Sequence, residues 1–368
     1  MKNCKIRTFG VAAIGAVWAL LALLLWFGPR TEVSEAERRP LAQIPELSAE
    51  TLFNGKFMSE FEDFTLDQFP LRDSFRKMKS LFHYYVLGQK DNNDIYLADG
   101  YAVKQEYPYN PASAEHALER FHRLYEKYLK DSGSEIYLTI VPDKGYYLAE
   151  ESGHLALDYE AMFSDFRGGM PWAEYVDLTD TLTAEDYYRT DTHWRQESIL
   201  DAAARLCAAL GVPEPSPGDY TPAAISRPFY GVYYGQAALP MEPETMYVLE
   251  SEVLKNCTVL DWESGKTGSV YDMTKLDSRD LYDVFLSGSR SLLTIENPHA
   301  RTDRELIVFR DSFGSSMVPL LVHGYARVTL VDVRYIQIDV LDRFLEFNGQ
   351  DVLFLYSTLV LNNSSTIK

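Results

Sequence analysis

Short apolar runs alternating with helix-period segments limit the fold of this chain more than any other feature. Ile136-Tyr137-Leu138-Thr139-Ile140-Val141, Leu306-Ile307-Val308-Phe309, Val328-Thr329-Leu330-Val331 and Val352-Leu353-Phe354-Leu355 are apolar along their length, not at every second residue. A strand of that kind has no face for water, so it fits a parallel sheet covered by helices on both sides. The helices lie between the runs: 113–130, with Leu118, Phe121, Leu124, Tyr125 and Tyr128 on one side, then 196–210, 315–323 and 336–347. One more strand is expected at 175–178. The fold class is therefore α/β, a parallel sheet flanked by helices. Residues 211–300 break the alternation: they begin with Pro213, Pro215 and Pro217, then turn aromatic and β-like. They read as a β-rich insertion.

The N-terminus is a different kind of segment. Residues 8–29 carry no charge, and at ~1.5 Å per residue they span about 33 Å as a helix, enough to cross a bilayer. Lys2, Lys5 and Arg7 precede the run and Glu32, Glu35 and Glu37 follow it. That asymmetry leaves residues 1–7 in the cytoplasm and the main domain outside. The alternative is a cleaved signal peptide, but its apolar region is normally ~7–15 residues and ends in small residues. Phe27-Gly28-Pro29-Arg30 does not fit, and an uncleaved transmembrane anchor at 8–29 is expected. Residues 30–52, with Pro40 and Pro45, read as a polar stalk leading to an extracellular domain at 53–368. That domain opens with a helix at 54–67 (Phe57, Phe61 and Phe64 on one side). A second helix starts at Pro70 and carries Phe75, Met78, Leu81, Phe82, Tyr85 and Val86. A hairpin at 94–103 turns at Asp99-Gly100.

The chain carries a net charge of −19, and the first thirty residues carry +4, which leaves −23 (−19 minus 4) on the exported part. Such a surface excludes nucleic acid as a partner. Of the three cysteines, Cys4 lies at the cytoplasmic end of the anchor. A bond between Cys207 and Cys257 is permitted outside the cell but not indicated, and a buried free Cys207 is the simpler expectation.

Two motifs look like halves of one site. Asp191-Thr192-His193-Trp194 offers an acid and a base two residues apart, and on an extended segment both point the same way. Arg310-Asp311-Ser312-Phe313 places a serine directly after a strand and before a helix. Asp191 can orient His193, which can take the proton of Ser312. Both motifs fall beyond the carboxyl ends of strands, where ligands bind in such sheets. Base and serine are 119 positions apart (312 minus 193), so only folding can unite them. Blander readings exist for each half. Asp311-Ser312 fits a helix cap, and Asp191, His193 and Asp311 form a possible metal set that lacks a second histidine. For want of that histidine no metal is expected, and no cofactor is expected either; no phosphate loop or acetyl-CoA motif is visible outside the membrane, so a transferase would need acetyl delivered across it.

At this point the sequence resembles the DHHW family of Gram-positive cell-surface proteins, which is related to the alginate O-acetyltransferases of the SGNH-hydrolase superfamily. The resemblance rests on an ordered set: Glu37-Arg38-Arg39-Pro40-Leu41-Ala42 with Pro45, Asp67-Gln68-Phe69-Pro70-Leu71-Arg72-Asp73, Val141-Pro142-Asp143-Lys144, Tyr188-Arg189-Thr190-Asp191-Thr192-His193-Trp194, Asp311-Ser312-Phe313 and Val331-Asp332-Val333-Arg334-Tyr335. It implies an SGNH-hydrolase-like domain whose triad maps to Asp191, His193 and Ser312. The chain departs from the pattern at Thr192, where many members have histidine, and at Arg310, where hydrolases usually have the glycine that shapes the oxyanion site.

The resulting expectation is a membrane-anchored extracellular O-acetyltransferase or acetylesterase acting on cell-surface polysaccharide. Backbone amides near Phe313 would bind the oxyanion, and Lys144, after strand 136–141, would meet a substrate oxygen. Tyr188, Arg189, Arg310, Phe313 and Arg334 complete the candidate substrate-binding set. By the resemblance, a multi-pass membrane-bound O-acyltransferase would supply acetyl groups. The alternative is a catalytically silent envelope protein that binds glycans or assembly partners, which Arg310 before the serine favours.

Overall fold

The computed structural model describes residues 2–34 and 36–368, with side chains from Phe9 onward. The segment expected in the cytoplasm, 1–7, and Cys4 within it, lies outside the described side chains, and Glu35 outside the described residues. The chain divides into two compact units, Met1–Asn92 with Tyr234–Pro240, and Asn93–Tyr233 with Met241–Lys368. Residues 53–92, placed with the α/β domain from sequence, thus group with the N-terminal segment.

In the first unit, helix Lys2–Phe27 contains a stretch, Phe9–Phe27, long and apolar enough to cross a membrane. The segment expected to be a stalk is tied down instead. Val33–Ser34 pairs antiparallel with Arg39–Pro40, and the Arg39 guanidinium forks the Asp67 carboxylate at 2.8 and 2.6 Å. Ala42 N–H donates to the same carboxylate at 2.9 Å. Glu37 pairs with Arg72 and, at 3.1 Å, with Arg76. Glu37 and Arg39 find opposite charges on helices Lys56–Asp67 and Arg72–Leu81, which a free polar linker would leave in water.

The second unit is built on one eight-stranded sheet. In chain order the strands are β1 (Ile136–Val141), β2 (Glu174–Tyr175), β3 (Thr258–Asp261), β4 (Lys266–Gly268), β5 (Leu292–Glu296), β6 (Glu305–Arg310), β7 (Arg327–Val331) and β8 (Asp351–Ser357). Across the sheet they run β4-β3-β5-β7-β6-β8-β1-β2. The five from β7 to β2 are parallel, as the apolar runs predict. Strands β5, β3 and β4 add to the β7 edge antiparallel. All three come from 211–300, so that region extends the sheet and is only partly an insertion. Antiparallel neighbours need no helical crossover, which is why the alternation stops there in the sequence. Thr221–Phe229 and Glu244–Glu250 form a separate hairpin.

Alternate residues of each central strand enter opposite cores. Leu306, Val308, Leu353 and Leu355 pack with Leu206 and Met317 of helices Leu200–Leu210 and Gly314–Leu321. Ile307, Phe309, Val352 and Phe354 pack with Phe121 and Phe166 of helices Pro111–Leu124 and Tyr159–Gly169. Cys207 and Cys257 are free and share the first core.

Three elements differ from expectation. The strand expected at 175–178 ends at Tyr175, because Asp177 folds back to accept from Thr179 N–H and Oγ1 at 2.9 and 2.8 Å. The helix expected at 336–347 is a 3₁₀ segment, Ile338–Arg343, whose buried residues Ile338 and Leu341 are three apart, the spacing that a 3₁₀ turn superimposes. The helix expected at 113–130 loses its α geometry after Leu124 and finishes as a π turn, Tyr125–Leu129.

Phe354 is fully buried, with ring centroids 5.0, 5.1 and 5.7 Å from those of Phe309, Phe121 and Trp172. Phe354→Ala should cost about 3–5 kcal/mol in urea unfolding of detergent-solubilised protein, since the site cannot collapse around three fixed rings. A loss below about 1 kcal/mol would mean that this core is loosely packed.

Candidate active site

The serine turn is organised by its neighbour. After β6 the chain turns at 311–313 into helix Gly314–Leu321. The buried Asp311 carboxylate accepts from Phe313 N–H at 3.0 Å through Oδ1, and from Ser357 N–H and Oγ at 2.7 and 2.6 Å through Oδ2. It therefore binds the end of β6 to the end of β8, and the helix itself starts after Phe313 without a side-chain cap. Ser312 is left partly exposed, with its hydroxyl directed at His193.

The histidine sits in a tight loop. Tyr187 and Trp194 pair as an antiparallel bridge, and Tyr188 N–H donates to His193 O at 3.0 Å. Both ends are anchored in the interior: Tyr187 OH donates to Pro142 O at 2.5 Å, and Trp194 Nε1 donates to Ser316 Oγ at 2.8 Å. The middle is held by Glu244, whose carboxylate accepts from Arg189 N–H at 2.7 Å and from Thr190 N–H and Oγ1 at 2.8 Å each.

Asp191, His193 and Ser312 meet at the carboxyl end of the sheet. Asp191 Oδ1 lies 2.6 Å from His193 Nδ1, and His193 Nε2 lies 2.8 Å from Ser312 Oγ. Asp191 also accepts from His193 N–H at 3.1 Å and, through Oδ2, from Val232 N–H at 2.8 Å. A carboxylate against Nδ1 assigns the proton there, so Nε2 faces the hydroxyl as an acceptor. The arrangement can deprotonate a serine as it attacks a carbonyl carbon. Of the alternative metal set Asp191, His193 and Asp311, both Asp311 oxygens already accept hydrogen bonds, from Phe313 and Ser357.

Four of the six candidate substrate-binding residues need correction, because they are buried. Lys144 does not face a substrate: its Nζ donates to Tyr188 O at 2.8 Å and Arg189 O at 3.4 Å, with the Tyr233 ring centroid 5.1 Å away. It fixes the loop from behind. Tyr188 packs edge-on against Phe229 in the hairpin core. Arg310 is fully buried beneath the serine turn, donating through Nη1 to Asp311 O and Ser315 Oγ at 3.2 and 3.1 Å. The departure that favours a silent protein in the sequence is thus a support of the turn. Phe313 lies against His193 and Trp194, 5.1 and 5.2 Å between centroids. Arg334 is half-buried and forks Asp332 at 2.8 and 2.6 Å. Arg189 is exposed. The oxyanion expectation also shifts. Phe313 N–H is engaged by Asp311, whereas Ser312 N–H has no bonded acceptor among the described residues.

Sequence reasoning missed Glu244, Gly231 and Tyr282. A Cβ on Gly231 would run into the Thr190 carbonyl and Asp191 Cα, so only glycine allows that approach. Tyr282 stacks face to face on the His193 ring, 3.8 Å between centroids at 6°, and shares a 2.7 Å hydrogen bond with Ser316 Oγ. All three come from 211–300, and no spacing links them to the motifs. The continuous run Met246-Tyr247-Val248-Leu249 is the signal that places Glu244, two residues before it, at a strand start.

The DHHW protein family model matches residues 174–331, the stretch that holds both motifs. A DHHW family protein from Eubacterium siraeum has the same fold with a TM-score of 0.60 and 21% identity, over 75% of this chain and 95% of that one. Bacillus cereus PatB1 gives 0.59 and 18%, over 73% and 96%. PatB1 with a sulfonyl adduct gives 0.58 and 18%, over 73% and 94%. No curated protein matches the chain. The resemblance to the DHHW family seen in the sequence stands over residues 174–331, and the α/β fold is shared with these solved structures.

Burial pushes the Lys144 ammonium down to about 7 from 10.5, against the nearby Asp191, Glu244 and Asp143, which favour the charge. Between those values the unfolded chain holds a proton that the folded one has released. The contribution of this group to stability therefore rises with pH across the window and is lowest below it. Lys144→Met removes that dependence, so the stability margin of wild type over the variant should grow as pH rises from about 7 toward 10.5. Denaturant titrations in detergent at several pH values would read it, and a flat margin would show that Lys144 does not titrate there.

Proposed function

We propose, with the DHHW match over residues 174–331 as premise, that this protein is a membrane-anchored enzyme that moves acetyl groups on cell-surface polysaccharide through an acetyl-Ser312 intermediate. One observation carries the reading: the unbroken chain from Asp191 Oδ1 to His193 Nδ1 and from His193 Nε2 to Ser312 Oγ, at 2.6 and 2.8 Å. Stretch Phe9–Phe27 is the anchor, with residues 1–7 in the cytoplasm and the α/β unit outside.

Ser312 Oγ attacks the acetyl carbonyl carbon while its proton passes to His193 Nε2. Asp191 holds Nδ1–H and stabilises the imidazolium, and Ser312 N–H stands where the oxyanion forms. The tetrahedral intermediate then collapses: the bond to the leaving oxygen breaks and that oxygen takes the proton from Nε2. In the second half, a sugar hydroxyl or a water gives its proton to Nε2 and attacks the carbonyl of acetyl-Ser312; the bond from that carbon to Oγ breaks and Oγ takes the proton back from Nε2, restoring the free serine. Discharge to sugar makes the protein an O-acetyltransferase and discharge to water an acetylesterase. For the transferase, a membrane-bound O-acyltransferase is the partner that would deliver acetyl groups across the bilayer.

Purified full-length protein in detergent with 4-nitrophenyl acetate should show a burst and a mass gain of about 42 Da on Ser312. Because Bacillus cereus PatB1 is recorded with a sulfonyl adduct, a sulfonyl fluoride should block that burst here. Ser312→Ala and His193→Ala should each lower kcat by about 10⁴-fold or more, with the double variant little worse than either. Asp191→Asn should lose about one to two orders of magnitude less. Sugar oligomers that gain acetyl groups identify the transferase; acetylated oligomers that release acetate identify the esterase. Full activity in Ser312→Ala would refute the serine route.

A further inference from the structure

Outside the span, large apolar side chains are exposed at fourteen positions from Ile44 to Leu87 but at only seven beyond residue 92. Those fourteen belong to the unit that contains the span. Within it lies an open groove of about 1320 Å³, with Leu66 and Phe69 on one wall and Phe75, Met78, Lys79 and Phe82 on the other. Phe75, Met78 and Phe82 follow a helical spacing of three and four, so they form one stripe. Residues 72–86 also carry the exposed Lys77 and Lys79, while Arg72 and Arg76 of the same helix are paired with Glu37. A stripe of apolar residues beside lysines, ending in Tyr84-Tyr85, is the composition of a helix that lies in a bilayer surface.

The position of this groove fixes what covers it. At the end of the span, Trp26 packs on Phe61 of helix Lys56–Asp67, 6.0 Å between ring centroids. Phe57 and Phe64 continue that row at 5.8 and 6.1 Å, and the Arg30 guanidinium lies 5.4 Å over Phe64. A span that ends at Phe27 brings Trp26 to the boundary between acyl chains and headgroups. The helix seated on it, and the groove formed by its Leu66, then stand at that same boundary.

We infer that residues 66–87 lie in the headgroup–acyl boundary of the outer leaflet, with Phe75, Met78 and Phe82 in contact with lipid acyl chains and Lys77 and Lys79 at anionic headgroups. The inference rests on the reading of Phe9–Phe27 as a span, and the experiment separates the two. Full-length protein is reconstituted in vesicles of phosphatidylcholine and phosphatidylglycerol with a trace of a lipid photoactivatable in its acyl chain. Labelled peptides are then mapped by mass spectrometry. Label should appear both in 9–27 and in 66–87. The variant Phe75→Asp with Met78→Asp and Phe82→Asp, three exposed positions, should lose groove labelling by at least about tenfold while the span keeps its label. Label on the span with none in 66–87 overturns the inference and leaves the anchor standing; another protein would then be the occupant of the groove. Absence of label from 9–27 overturns the anchor and the inference together.

Discussion

Two buried carboxylates hold together the carboxyl ends of the central parallel strands, where a buried polar group left unpaired costs about 1–3 kcal/mol. Asp143, after β1, accepts from Gly145 N–H at 2.7 Å, Thr358 Oγ1 at 2.8 Å and Tyr159 OH at 3.1 Å. Asp311, after β6, accepts from Phe313 and from both donors of Ser357. Since Ser357 ends β8 and Thr358 follows it, three adjacent parallel strands are bound together at the edge that carries Ser312. The turn that carries Ser312 is thereby tied by buried hydrogen bonds to the neighbouring strand.

The histidine loop has no strand to hold it and relies on buried charge. Lys144 donates to two of its carbonyls, Glu244 accepts from two of its N–H groups, and Gly231 N–H donates to Thr190 Oγ1 at 3.0 Å. An isolated buried ammonium would cost several kcal/mol after relaxation. Here burial lowers its pKa toward neutrality, and either protonation state can still donate to a carbonyl. The loop therefore keeps its main hydrogen bonds whether Lys144 is charged or not. Removing Glu244 is the graver change, because three donors would lose their acceptor at once.

The parallel half of the sheet was legible in the sequence because its strands are apolar on both faces, a pattern that few other environments tolerate. Asp191, His193 and Ser312 were legible because each half of the site is local: two residues apart in one motif, directly after a strand in the other. What surrounds them was not. Lys144, Tyr188, Arg310 and Phe313 stand next to the motifs and read as surface groups, but the helix and hairpin that cover them come from distant segments. The antiparallel strands of 211–300 were hidden for a related reason: Thr258–Asp261 and Lys266–Gly268 are so short that they match loops as well as an added sheet edge. Charge misled at 30–52, where Arg39 and Glu37 read as solvated until Asp67, Arg72 and Arg76 fold against them.

The segment least readable from sequence supplies the second constraint on the imidazole. Asp191 fixes the ring by one edge, which still permits it to tilt about the axis through that hydrogen bond. Tyr282 removes the tilt, lying parallel to the ring at 3.8 Å. Its own position is set by the Ser316 hydroxyl, which also accepts from Trp194 Nε1 and belongs to the helix that follows Ser312. The tyrosine, the histidine loop and the serine helix thus share one hydroxyl. A shift of any one moves the others, so the Nε2-to-Oγ distance is governed by a closed circuit of contacts. The same Ser316 hydroxyl therefore ties the ring stacked on His193 to the helix that follows Ser312.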